Sequence, residues 1–385
     1  MNRSTQYIAA VIAIIVLPGC TIFQDYFDEP AAPENKAVAE PLASRPRVEP
    51  INRNYFVLEN AQQSVIGEPQ IVFTRDEDTF SDLAREYGLG YDEIVAANPN
   101  TDPWLPGVNT PVLLPTQYVL PDVPRRGLVL NIASKRLFYF PSVADGESAK
   151  VMTYPIGIGR VGWETPLGET TVVSKATKPN WYVPASVRKE HAEMGDPLPA
   201  VVLAGPDNPL GDYVLKLGIP GYLLHGTNQP YGVGMRVSHG CVRLYPENIE
   251  LLYSLVEIGA AVRIINEPYL VGRANGDLFL ESDIPLEDDE TGPEERLQIL
   301  FAANEEFTDE SAQNRAKTVT SQASGVPVRV LLGDTLEVYE RARLVRNTVE
   351  RDPNAPTLAE VRALLDAPED SDAAVEASGS VTADE

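Results

Sequence analysis

Cysteine and histidine are scarce in this 385-residue chain, and both scarcities narrow its chemistry. Only Cys20 and Cys241 occur, so neither a disulfide framework nor a cysteine zinc site is available. His191, His225 and His239 are the whole supply of imidazole. Positive charge is also short: 31 Lys and Arg face 56 Asp and Glu, a net of −25. That balance argues against a nucleic-acid binder, because phosphate must be neutralised by Lys and Arg. The apolar run Ile8–Leu17 is too short to span a bilayer, which needs roughly 20 residues. What is present is ordinary in bulk. A 43% hydrophobic fraction excludes fibrous and wholly disordered chains. The length predicts two or three domains. Acidity is uneven, for residues 281–385 hold 9 basic and 25 acidic side chains, a net of −16.

The first twenty residues read as a targeting segment. Arg3 gives a positive start, Ile8–Leu17 has the length of a secretory h-region, and Leu17-Pro18-Gly19-Cys20 ends it. That ending resembles the lipobox of bacterial lipoproteins, in which cleavage precedes a cysteine that is then acylated. Pro18 departs from the small residue usual there, and a plain secretory signal is the alternative. The resemblance implies a lipidated Cys20. Thr21 stands where an inner-membrane retention Asp would be, so the implied address is the periplasm, anchored to the outer membrane.

Composition then divides the chain. Residues 21–54 are rich in Pro, Ala and Glu and read as a tether. Over 72–115 the pattern predicts a strand, a helix capped by Thr79 with Asp82 three residues on, a short helix Tyr91–Ala97, and a strand Pro111–Pro115. Gly88 is placed to end the first helix. Asp78-Thr79-Phe80-Ser81-Asp82-Leu83-Ala84 and Ala97-Asn98-Pro99-Asn100 resemble a LysM module, with Glu77 where that module commonly has Gly. The resemblance implies binding of peptidoglycan glycan, a non-binding spacer of the same fold being the alternative. Residues 126–266 read as β-rich: a hairpin of Leu128–Ile132 and Arg136–Phe140, then strands at Lys150–Tyr154, Thr170–Ser174, Tyr213–Leu217, Tyr222–His225 and Ala261–Ile265. One helix follows Pro246, with Ile249, Leu252, Leu255 and Val256 on one face. The acidic extension 281–385 is expected to be partly helical, near Pro293–Asn304 and Thr335–Val349, and disordered over its last twenty residues.

Chemistry concentrates in one stretch. His225-Gly226-Thr227 is followed by Ser238-His239-Gly240-Cys241-Val242-Arg243. A free thiol has a pKa near 8.5 and needs a base or a positive field to react as thiolate. A strand-end His225 and a loop Cys241 can converge across a sheet, so an ionised sulfur facing an open cleft is expected. Gly240 lets the backbone approach a ligand, and the N–H groups of Gly240 and Cys241 are candidate oxyanion donors. The bland alternative is a buried Cys241 acting as a small hydrophobe. An exported setting, where a spare thiol risks oxidation, weighs against it. A metal site of His225, His239 and Cys241 lacks a fourth ligand, and no metal or cofactor is expected.

The signature resembles that of the YkuD-type L,D-transpeptidases, and more narrowly the ErfK/YbiS/YcfS/YnhG group. Pro155–Arg160, Gly162–Gly168 and Ala204–Gly211 carry the likeness further, over roughly Tyr55 to Leu286. The resemblance implies a mainly β fold: a catalytic β-sandwich, preceded by the small α+β module and followed by the acidic tail. It implies Cys241 as nucleophile, His225 as general base and acid, and His239 in a supporting position. The implied reaction is acyl transfer from a peptidoglycan tetrapeptide stem, through a thioester, to an amine. Acceptors open to the group are a lysine of an outer-membrane lipoprotein, a second stem, or a D-amino acid. Arg243 and Arg236 are candidates to pair with stem carboxylates, with structural salt bridging as the alternative. Ser238 is a candidate to position a neighbour, and Tyr222, Trp163 and Gly226 to line the substrate cleft. His191, within a charged stretch, reads as a surface residue, with a lid role left open by the resemblance.

Overall fold

The computed structural model describes residues 42–50, 54–143, 146–331 and 335–350. The leader, Cys20 and the last twenty residues lie outside them. Among the described residues no helix is long and apolar enough to cross a membrane.

The centre is a nine-stranded sheet in the order Tyr55–Val57, Lys150–Pro155, Arg136–Phe140, Gly127–Asn131, Ala261–Ile265, Gly168–Thr177, Tyr213–Leu217, Leu223–His225, Val242–Arg243. Its seed is the expected hairpin, paired from Gly127↔Phe140 to Asn131↔Arg136 and turned by Lys135 at a φ of 50°. The long strand Gly168–Thr177 serves two partners. Its first part pairs with Ala261–Ile265 and its second with Tyr213–Leu217, across a register shift between Val172 and Ser174. Such an irregularity bends a strand and raises its twist. Leu130, Leu137, Val172, Leu215 and Leu224 fill the resulting core. Helix Pro246–Leu255 seals it with Ile249 and Leu252, and Pro246 sits in its first turn as the sequence predicts.

Ahead of this sheet lies the strand–helix–helix–strand unit. Gln70–Phe73 pairs antiparallel with Pro111–Leu114, and helices Phe80–Glu86 and Tyr91–Ala97 come between. The Thr79 hydroxyl accepts from Asp82 N–H, and the Asp82 carboxylate accepts from Thr79 N–H, closing the predicted cap. Gly88 follows the helix with φ at 65°. Glu77 also takes a left-handed φ, of 70°, which a side chain makes costly. The unit is no bead on a string. Phe80, Leu83, Tyr87 and Ile94 share one core with Val129, Phe138 and Val151 of the large sheet. Arg136, fully buried, donates Nε to Glu93 Oε1 at 2.7 Å and Nη2 to Oε2 at 2.6 Å, locking the second helix to that sheet.

Two sequence expectations change here. The segment read as tether joins the fold before residue 54, because Leu42 is buried in a core and Val48 bridges to Val345. The acidic extension carries the expected helix near Pro293, and its described residues, up to 350, add strands to it. Hairpin Tyr269–Ala274 and Asp277–Ser282 pairs onward with Val328–Arg329, against helices Pro293–Ala303 and Glu310–Gln322. The helix expected over Thr335–Val349 stops at Arg341, and Arg343–Val345 instead adds a parallel strand to Gln70–Phe73. An open strand edge with buried places for Leu344 and Val345 outweighs a helical preference of tenths of a kcal/mol per residue.

Candidate active site

Strand pairing brings the two signature segments together. Leu223–His225 and Val242–Arg243 run parallel with Leu224 opposite Val242 and His225 opposite Arg243, so Cys241 enters the same sheet edge one residue earlier. Gly240 turns the chain into that strand at a φ of 99°, and a Cβ there would lie 2.9 Å from Tyr222 Cε1. Hydrogen bonds hold the turn from both sides. The buried Ser238 hydroxyl donates to Cys241 O at 2.5 Å and accepts from Gly240 N–H at 3.2 Å. Thr165 Oγ1 donates to Gly240 O at 2.9 Å and accepts from Gly159 N–H at 3.1 Å.

His225, Cys241, Arg243, Ser238 and His239 line one cleft of about 800 Å³. His225 is only 3% exposed, and its Nδ1 lies 2.6 Å from Gly226 O. A carbonyl accepts only, so Nδ1 carries the hydrogen and Nε2 keeps its lone pair. Burial, with the Arg243 charge second, lowers the His225 pKa to about 4. Burial also pushes the Cys241 thiol up, against smaller opposing effects of the Leu223 backbone and Arg243. The thiol sits 3.5 Å from Gly221 O. Burial thus works against the expected ionised sulfur in the cleft that Cys241 and His225 share. A low-dielectric setting disfavours both charges. No cluster of three or more His, Cys, Asp or Glu able to hold a metal occurs among the described residues.

A family model described as the L,D-transpeptidase catalytic domain, YkuD, matches residues 125–264. Probable L,D-transpeptidase YcfS of Escherichia coli is 39% identical over 291 residues, covering 73% of this chain and 89% of that protein. The chain belongs to the YkuD L,D-transpeptidase family. Probable L,D-transpeptidase ErfK/SrfK of the same organism is 36% identical over 278 residues, covering 70% of this chain and 88% of that one. Probable L,D-transpeptidase YbiS is 40% identical over 226 residues, covering 58% and 72%.

The remaining residues distribute less evenly in this L,D-transpeptidase-family chain. Arg243 faces the cleft with Nε buried and without a hydrogen-bond partner. Arg236 does not join it. Its Nη2 reaches Asp288 Oδ2 at 2.6 Å, its Nε reaches Gly159 O at 3.0 Å, and it lines a different cavity beside Lys135 and Asp283. A carboxylate from the extension claims that guanidinium, which favours the structural reading. Tyr222 packs against Gly240 and donates to Glu164 O at 3.3 Å, so it shapes the turn. Gly226 acts through its carbonyl on His225. The Gly240 N–H, a candidate oxyanion donor, is already taken by Ser238 Oγ.

His191, expected at the surface with a lid role left open, is half-buried. It lies on helix Ala185–Glu193 and faces the cleft, so all three histidines line one cavity. Trp163, a sequence candidate, lines the cleft, while Thr165, Arg160 and Glu190 have site contacts that sequence reasoning did not assign. Glu190 Oε2 lies 2.8 Å from His239 Nε2, Arg160 pairs with Glu190, and Trp163 stands edge-on to His239 with centroids 4.8 Å apart. The Gly162–Gly168 run was a usable signal for Trp163 and Thr165. Nothing in sequence spacing pairs Glu190 with a histidine 49 positions away.

Proposed function

We propose that this chain is a peptidoglycan L,D-transpeptidase that transfers an acyl group from a tetrapeptide stem to an amine through a Cys241 thioester. The observation carrying the reading is the His225 tautomer. With Nδ1–H held by Gly226 O, Nε2 faces chemistry as an acceptor, in the cleft that also contains Cys241.

Cys241 attacks the carbonyl joining a diamino acid to the terminal D-alanine. Its S–H proton passes to His225 Nε2 as the S–C bond forms. His225 returns that proton to the departing D-alanine nitrogen as the C–N bond breaks. An imidazole with a pKa of about 4 is a weak base but a strong acid once protonated, suited to protonating a poor amine leaving group. The Cys241 N–H is the backbone donor proposed for the carbonyl oxygen. Arg243, with an unused Nε, is proposed to meet a stem carboxylate.

The reading places the enzyme in the periplasm, acylated at Cys20 and held to the outer membrane, with the unit around Gln70–Leu114 binding glycan as a LysM module does. A protein lysine, a second stem or a D-amino acid serves as acceptor.

Disaccharide tetrapeptide incubated with and without an amine is the test. Amine adducts or cross-linked dimers on mass spectrometry are expected. Tripeptide alone would replace transfer by hydrolysis, and unchanged substrate would leave a silent fold. Cys241→Ala should abolish acylation while leaving the circular dichroism spectrum unchanged.

A further inference from the structure

Two imidazoles line the cleft at different depths, and their ring nitrogens are held in opposite senses. His225 is buried, tied at Nδ1 and open at Nε2. His239 has a side chain 24% exposed and is tied at Nε2 to Glu190 Oε2 at 2.8 Å. A carboxylate only accepts, so that contact puts the hydrogen on Nε2 and leaves the lone pair on Nδ1. Arg160 Nη2 is farther from the same nitrogen, at 3.2 Å, and is paired with Glu190 Oε1, where it holds the carboxylate ionised. Trp163 presses edge-on against the His239 ring. Glu190 comes from helix Ala185–Glu193, and His239 stands two residues before Cys241, so one carboxylate ties that helix to the nucleophile loop.

We propose that His239, positioned by Glu190, is a second general base that takes the proton from the acceptor amine, while His225 serves the thiol. The inference rests on the transpeptidase reading above and assigns the second half-reaction to its own residue. The neutral amine attacks the thioester carbonyl carbon and forms the new C–N bond. Its surplus proton goes to His239 Nδ1, the C–S bond breaks, and the Cys241 sulfur leaves with the electron pair. His239 then gives its proton to water and the sulfur regains one from solvent, so thioester and amine become amide and thiol with nothing left over. Glu190 is a positioning residue in this scheme. It fixes the tautomer, and while burial, with Arg160 and His191, lowers the His239 pKa on balance, the Glu190 hydrogen bond and charge oppose that lowering.

The test separates the half-reactions in the full chain. Wild type, Glu190→Gln, Glu190→Asp and His239→Gln are each given disaccharide tetrapeptide with glycine as acceptor. Intact-mass measurement follows acyl-enzyme on Cys241 beside released product. Glu190→Gln and His239→Gln should accumulate acyl-enzyme while amine adduct forms about ten-fold more slowly. Glu190→Asp should recover part of the rate. The acid limb of aminolysis should move to lower pH in Glu190→Gln, because a charge that raised the His239 pKa is gone. Loss of product with no accumulation would overturn the proposal and leave Glu190 a clasp for the helix alone. So would wild-type partition and an unmoved acid limb. Failure of the wild type to acylate is a different outcome, for it removes the transpeptidase reading itself.

Discussion

Replacing His225 by Asn removes one titration and should change how stability depends on pH. Folded His225 has a pKa of about 4 against 6.5 in an unfolded chain. Between these values the unfolded state binds a proton that the folded state refuses. Stability from this residue is therefore complete above 6.5, falls as pH drops, and bottoms out below 4. The gap of about 2.5 pH units corresponds to about 3 kcal/mol. Wild type alone would conceal the effect. Burial raises the Asp283 pKa to about 7 and raises that of Glu281, so both carboxyls hold protons in the folded state that the unfolded chain releases. Those groups gain stability as pH falls, with the opposite sign. Comparing wild type with His225→Asn cancels them, because neither carboxyl lines the His225 cleft. Urea unfolding of both proteins at pH 7, 6, 5 and 4 is the assay. Wild type should lose about 3 kcal/mol more than the variant between pH 7 and 4. Parallel curves would refute the buried neutral imidazole, and with it the account of His225 as a weak base and strong conjugate acid.

Other consequences follow from the same structure. Alkylation of Cys241 by iodoacetamide should rise steeply only above pH 9, because burial raises the thiol pKa; a plateau near neutral pH would show an ion pair instead. Gly240→Ala forces a side chain onto a φ of 99° and toward Tyr222, so Tm should fall by an amount equivalent to about 1–3 kcal/mol and acylation should drop with it. Arg136→Ala strands Glu93 in the seam between the small unit and the large sheet, and urea unfolding should show a loss of about 3–5 kcal/mol. Leu344→Ala should cost about 2–5 kcal/mol by the same measurement if the last strand is integral to the fold.

How much of this was legible depends on the range of the interaction. Thr79 and Asp82 announce their cap because both halves lie within one turn, and Pro246 announces its helix for the same reason. The hairpin around Lys135 is equally local, and the sequence places it within one residue. His225 and Cys241 could be singled out as candidates because the chemistry needs rare residue types and the chain has few of them. Their state of charge was not legible. Burial, the largest influence on both, comes from packing across strands that no local motif encodes. Arg236 shows the same limit, since the carboxylate that takes it arrives from Asp288, 52 positions later. In the extension the helix after Pro293 was legible but its packing was not, because inward residues such as Phe307, Ala316 and Leu344 are spread too thinly to register as a core.

Glu77 carries that argument to a measurable point. The resemblance to a LysM module puts a glycine at this position, and the backbone explains the preference: φ is 70°, a conformation that costs a side chain about 1–2 kcal/mol. Glycine would relieve that cost but enter folding from a more disordered unfolded chain, which takes back up to about 1 kcal/mol. Glu77→Gly should therefore stabilise by up to about 2 kcal/mol, read as a higher urea midpoint with an unchanged slope. A lower midpoint would mean that contacts of the Glu77 side chain outweigh the strain. The departure from the module's pattern would then be a stabilising substitution in its own right.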